Sequence, residues 1–104
     1  MPASARTIAH LKVAAQAARD KLATDLVALD VTDPFALAEV FLILSAKNER
    51  QAVAIADAIE DALLEEKLKP RFREGKQTGR WILLDFGDLV VHQHRPTMHF
   101  PDQF

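Results

Sequence analysis

The chain has no cysteine and no tyrosine, and only one tryptophan and three glycines among its 104 residues. Without cysteine there are neither disulfides nor thiolate metal sites, so stability must come from one apolar core. With 49% apolar residues the chain can build such a core as a single domain. Long apolar runs are missing too. The longest, Val40–Leu44, is far short of the roughly 18 residues of a membrane span. The N-terminal residues lack the apolar centre of a secretory signal, and a cytoplasmic protein is expected. Excess positive charge is also absent, the formal net charge being −2. A grip on phosphate backbones needs clustered cations. The one dense stretch is Lys67, Lys69, Arg71, Arg73 and Lys76, interrupted by Glu74, so direct nucleic-acid readout is not expected.

Hydrophobic spacing supplies the elements. Ile8, Leu11, Ala15, Ala18 and Leu22 recur at helical intervals, which predicts an amphipathic helix over residues 5–23. Val27, Leu29 and Val31 alternate with Ala28 and Asp30 in a first strand that ends at Thr32-Asp33-Pro34. The run within Glu39–Ser45 predicts a central strand covered on both faces. Asn48 and Gln51 have the spacing of a capping box ahead of a second helix, whose stripe is Ala52, Ile55, Ala56, Ile59 and Leu63. Pro70 blocks its continuation. A short strand at Arg71–Arg73, a loop over Gly75–Gly79 and a terminal hairpin complete the order α-β-β-α-β-β-β. The fold class is α/β: one domain with a mixed sheet of about five strands flanked by helices, the strand–helix–strand unit over residues 39–73 implying a parallel pair.

The hairpin spans Trp81–His92 and turns at Gly87-Asp88, a dipeptide suited to a two-residue type I′ or II′ turn. That register opposes Asp85 to Val90, Leu84 to Val91, Leu83 to His92 and Trp81 to His94. Ile82, Leu84, Phe86, Leu89 and Val91 then share a core face. The other face carries Trp81, Leu83, Asp85, Val90, His92 and His94, a mixture that predicts a contact surface.

The segment also resembles a family signature. Trp81, Asp85, Gly87, Asp88, Val91 and His92 match the hairpin motif of the Iojap, or ribosomal silencing factor, family. Ala28-Leu29-Asp30-Val31 is similar to the family's first strand, Arg50 with Ala54-Ile55-Ala56-Asp57 to the start of its second helix, and Glu74-Gly75 to the pair it places before the tryptophan. The resemblance runs from about Leu26 to Pro96, and residues 1–104 read as one domain of this type. Two segments depart from the family pattern. Ala46-Lys47 stands where Thr-Gly is common, and residues 95–104 read as a divergent or truncated tail. The resemblance implies a mixed sheet distantly like a nucleotidyltransferase core. It also implies a protein that binds large-subunit ribosomal protein fourteen on the intersubunit face of the large ribosomal subunit, blocks association of the subunits and represses translation. Glu74, Trp81, Asp85, Asp88 and His92 are the expected contact residues. Neither catalytic residues nor a cofactor is implied, and dimerisation through an exposed strand face is expected.

Two other chemistries stay open on the residues. Asp30, Asp85 and Asp88 would be the carboxylates of a metal-dependent nucleotidyltransferase-like enzyme. Against it, the strand-to-helix turn Ser45-Ala46-Lys47-Asn48-Glu49 has no glycine to cradle phosphate and places an acid where phosphate would sit. His92 and His94, two apart on one strand and joined by Asp85, have the placement of a partial zinc site, but with no fourth ligand a metal is not expected.

Overall fold

A computed structural model of the chain describes residues 4–31, 38–76 and 81–94. The expected strand stop at Thr32-Asp33-Pro34, most of the loop up to Gly79 and the tail over 95–104 lie outside the described residues. The elements are α1 (Ala5–Asp20), β1 (Thr24–Asp30), β2 (Val40–Ser45), α2 (Glu49–Glu65), β3 (Phe72–Glu74), β4 (Trp81–Asp85) and β5 (Leu89–His94), in the order the sequence predicts. One five-stranded sheet runs β1-β2-β5-β4-β3, parallel only between β2 and β5.

The position of the parallel pair corrects the sequence reading. β2 and β3, joined through α2, run in the same direction, but β5 and β4 lie between them. The hairpin inserts its second strand beside β2, where Leu89 and Val91 neighbour Val40 and Leu42. Those four side chains are buried, and with Ile82, Leu84 and Phe86 they form the sheet's contribution to the core. The predicted hairpin register is the observed one, from Trp81 opposite His94 to Asp85 opposite Val90. Gly87 has φ +97°, and Asp88 is not among the positive-φ residues, which excludes a type I′ turn.

α2 buries Ala52, Ile55, Ala56, Ile59 and Leu63, the stripe read from the sequence. Asn48 Oδ1 accepts the Gln51 N–H at 2.8 Å. The Gln51 side chain, however, does not close a capping box on Asn48. Its Oε1 accepts the Lys47 N–H and its Nε2 donates to the carbonyls of Lys21 and Leu22, which ties the start of α2 to the end of α1.

In α1 the buried stripe is Thr7, Ala14 and Ala18, so the predicted stripe is rotated. Ile8 is exposed, Leu11 and Ala15 are half-buried, and Leu22 lies beyond the helix. α1 packs against α2 through small residues, which bring the axes close, and Thr7 is buried because its hydroxyl meets Ser4 Oγ at 3.0 Å. Ser4 Oγ caps the helix, while its N–H donates to Glu39 Oε1 at 2.8 Å. That backbone hydrogen bond, helped by Thr7, holds the Glu39 carboxyl below its usual range.

Both helices end in the same way. Ala23 N–H reaches Ala18 O and Leu22 N–H reaches Arg19 O; Leu68 reaches Leu63 and Lys67 reaches Leu64 in the same pattern. These are Schellman motifs with a side chain where glycine is preferred, Leu22 at φ 67° and Lys67 at φ 62°. Lys67→Gly should therefore stabilise the fold by about 0.5–1 kcal/mol, read as a higher denaturation midpoint with unchanged m-value.

Among the described residues, the sheet is covered on one side only. Both helices pack on the face carrying Val40, Leu42, Leu44, Ile82, Leu84, Leu89 and Val91. The expectation that β2 is buried on both faces is thus overturned: Leu42 and Leu44 are buried, whereas Phe41 is exposed and Ile43 half-buried. Gln93 also lies under the helices, fully buried, with Nε2 donating to Ala52 O at 2.8 Å.

Candidate protein-binding face

The face of the sheet away from the helices gathers most of the residues expected to make contact. Cross-strand register places them in rows. Leu29, Phe41, Val90, Asp85 and Phe72 cross all five strands, and Val27, Ile43, His92, Leu83 and Glu74 form the row beside them. Trp81 follows Leu83 on β4. It is 38% exposed and meets the His92 ring edge-on, with centroids 6.0 Å apart at 88°. That separation falls in the favourable range for perpendicular rings.

Of the residues singled out in the sequence, Glu74, Trp81, Asp85 and His92 therefore share this face, while Asp88 is exposed in the hairpin turn at its margin. Phe72, Phe41, Leu29 and Val27 belong to it as well and were not singled out. Phe72 is 50% exposed although it lies between two arginines, and Val27 is 49% exposed. The signal for Leu29, Val27 and Phe41 was the same parity that identified Trp81. Had β2 been read as open on one side, Phe41 would have extended the face across the register.

Local electrostatics separate the carboxylates. Asp85 Oδ1 accepts from Arg71 Nε at 3.1 Å and from the Gly87 N–H at 2.8 Å, so its charge is largely used in holding β3 and the turn. Glu74 is exposed at the end of β3. The helix side of that edge is braced to α2. Arg73 Nε lies 3.1 Å from both oxygens of Glu60, and Lys76 Nζ is 2.5 Å from Asp57 and 3.3 Å from Glu60. Burial by itself would lower the Lys76 pKa, but bonding to Asp57 and the charge of Glu60 outweigh it and raise the value. Three of the five cations of Lys67–Lys76 are thereby engaged with carboxylates, which leaves little of that stretch for phosphates.

The three-carboxylate arrangement does not assemble, and the His94 side chain of the other lies outside what is described. Asp30 is on β1 and Asp85 on β4, with β2 and β5 between them. No group of three His, Asp or Glu side chains is placed to hold a metal ion among the described residues, and that includes His92 with Asp85. No helix among them is long and apolar enough to cross a membrane.

The family model for ribosomal silencing factor during starvation matches residues 4–98. The chain belongs to the ribosomal silencing factor family. It is 42% identical over 82 residues to ribosomal silencing factor RsfS of Bacillus subtilis (strain 168), covering 79% of this chain and 70% of the relative. It is 30% identical to the Chromobacterium violaceum relative over 87 residues, which is 84% of this chain and 71% of that one. A crystal structure of a Chromobacterium violaceum protein superposes with TM-score 0.80 at 30% identity, over 84% of this chain and 72% of that chain. A second, from Bacillus halodurans, does so with TM-score 0.76 at 35% identity, over 82% of this chain and 79% of that chain. Membership in this family supports a role in ribosome silencing and gives no support to the nucleotidyltransferase alternative.

Proposed function

We propose that the open face of the sheet docks on large-subunit ribosomal protein fourteen, on the intersubunit side of the large subunit, in the cytoplasm. Occupancy there would obstruct the small subunit and repress translation, with no general acid, base or nucleophile involved. The observation that carries the reading is the apolar band of exposed Leu29, Phe41, Trp81 and Phe72 with half-buried Val90 and Leu83, on the side of the sheet that neither helix covers. An apolar band crossing five strands is the chemistry of an interface centre. Glu74 and Asp88 at the margin, with Asp85 and His92 among the apolar side chains, add polar groups of acidic character that suit a basic ribosomal protein.

Titration calorimetry of the chain against large-subunit ribosomal protein fourteen tests the proposal. Saturable binding is expected, and Phe41→Asp should weaken it at least about tenfold by placing a charge in the centre of the band. Leu64→Asp, on an exposed position of α2, should leave it unchanged. No binding, or equal loss from both variants, removes the reading. A second copy of the chain would compete for the same face, so sedimentation of the free protein accompanies the titration.

A further inference from the structure

The two helices cover the sheet unevenly. α1 packs on β2 and β5 and α2 on β4, and neither covers edge strand β1 as closely, where Leu26 is only half-buried and Ala28 exposed. The gap is a cleft of about 420 Å³ with Leu26, Ala28 and Leu42 as its floor and the flank of α1 as its wall. That volume is within the roughly 300–1,000 Å³ typical of small-ligand sites. Lys12, Gln16 and Arg19 line the wall at spacings of four and three, one ridge along the helix. Lys12 and Arg19 form no ion pair with any described residue, in contrast to Arg71, Arg73 and Lys76. The adjacent acid, Asp20, is taken up by Gln16, which donates to it at 2.9 Å.

We propose that this cleft binds a small amphipathic anion of the class of a medium-chain fatty carboxylate. Its tail would lie on Leu26, Ala28 and Leu42, and its carboxylate would pair with either Lys12 or Arg19. Lys12 and Arg19 are seven residues apart, about 10 Å along the helix axis, so a linear chain can lie beneath the ridge with its head at either cation. Both halves of the ligand are needed. An inorganic anion gains nothing from an apolar floor, and an uncharged chain leaves two cations solvated as before. The cleft is on the opposite side of the sheet from Trp81, so the inference stands apart from the ribosome-binding reading.

Titration calorimetry of the full chain with decanoate, below its micelle concentration and at low salt, is the test. One-to-one saturation is expected. The double substitution Lys12→Glu with Arg19→Glu should weaken it at least about tenfold, and Ala28→Trp, which fills the floor, should abolish it. Trp81→Ala should leave it unchanged, and decyltrimethylammonium and inorganic phosphate should not bind. Circular dichroism melts confirm that each variant is folded. The proposal fails if decanoate gives no saturable heat or if decyltrimethylammonium binds equally. It fails too if binding survives both cleft variants or is lost with Trp81→Ala, which would place decanoate on the open face.

Discussion

Gly75→Ala should lower the melting temperature by about 10–20 °C, the shift of about 3 kcal/mol for a domain of this size. Two costs coincide at this residue. Its φ of +90° lies where side-chain-bearing residues are strained. In addition, a Cβ built there would sit 1.9 Å from the Trp81 carbonyl oxygen and 3.0 Å from its carbon. Those are backbone atoms of the neighbouring strand, so relief requires β3 to leave β4 or the start of β4 to move. Gly87 separates the two effects. Its φ is +97°, but an added Cβ meets nothing within 4 Å, so Gly87→Ala should cost only about 1 kcal/mol of conformational strain. Thermal melts of both variants give the comparison, and equal losses would mean that close approach at Gly75 contributes nothing. Because Gly75 presses on the residue that carries the indole, a folded Gly75→Ala should also show a shifted tryptophan emission, whereas Gly87→Ala should not.

The same pair of glycines marks what was legible in the sequence. The hairpin could be read because alternation with period two and a two-residue turn leave one register that buries Ile82, Leu84, Phe86, Leu89 and Val91 together. A type I′ turn was open until Gly87 alone proved to have positive φ. α2 was legible because its stripe is aliphatic and its cap polar. In α1 the helix was legible but its buried face was not, since its buried positions are a threonine and two alanines while Ile8 points outward. Hydrophobicity ranks those residues the wrong way, and close helix contact decides instead. β2 shows a limit of a different kind. Val40–Leu44 reads the same whether or not a second layer covers Phe41 and Ile43, and layer count is a tertiary property. The open face was thus legible on β4 and β5, where register fixes it, whereas Leu29, Val27, Phe41 and Phe72 on β1, β2 and β3 were not singled out, although Glu74 on β3 was. In β3, three residues are too few to show a period, and Phe72 was obscured by its arginine neighbours.

Trp81→Ala is expected to weaken binding to large-subunit ribosomal protein fourteen by about thirtyfold or more, the 2 kcal/mol or greater that separates interface anchors from their surroundings. Its effect on folding should be small, about 1 kcal/mol, because the indole is 38% exposed and loses chiefly its edge contact with His92. The carboxylates should behave differently. Glu74→Gln removes a charge at the margin and should slow association and flatten its salt dependence while leaving dissociation almost unchanged. Asp85→Asn should act mainly through stability, since it loosens Arg71 and the Gly87 N–H at once. A double-mutant cycle of Trp81→Ala with His92→Ala then decides how the aromatic pair works. If His92 acts by holding the indole upright, the double variant loses little more than Trp81→Ala alone; if His92 reaches the partner independently, the two losses add. The perpendicular packing at 6.0 Å favours the first outcome, with His92 as the support and Trp81 as the anchor.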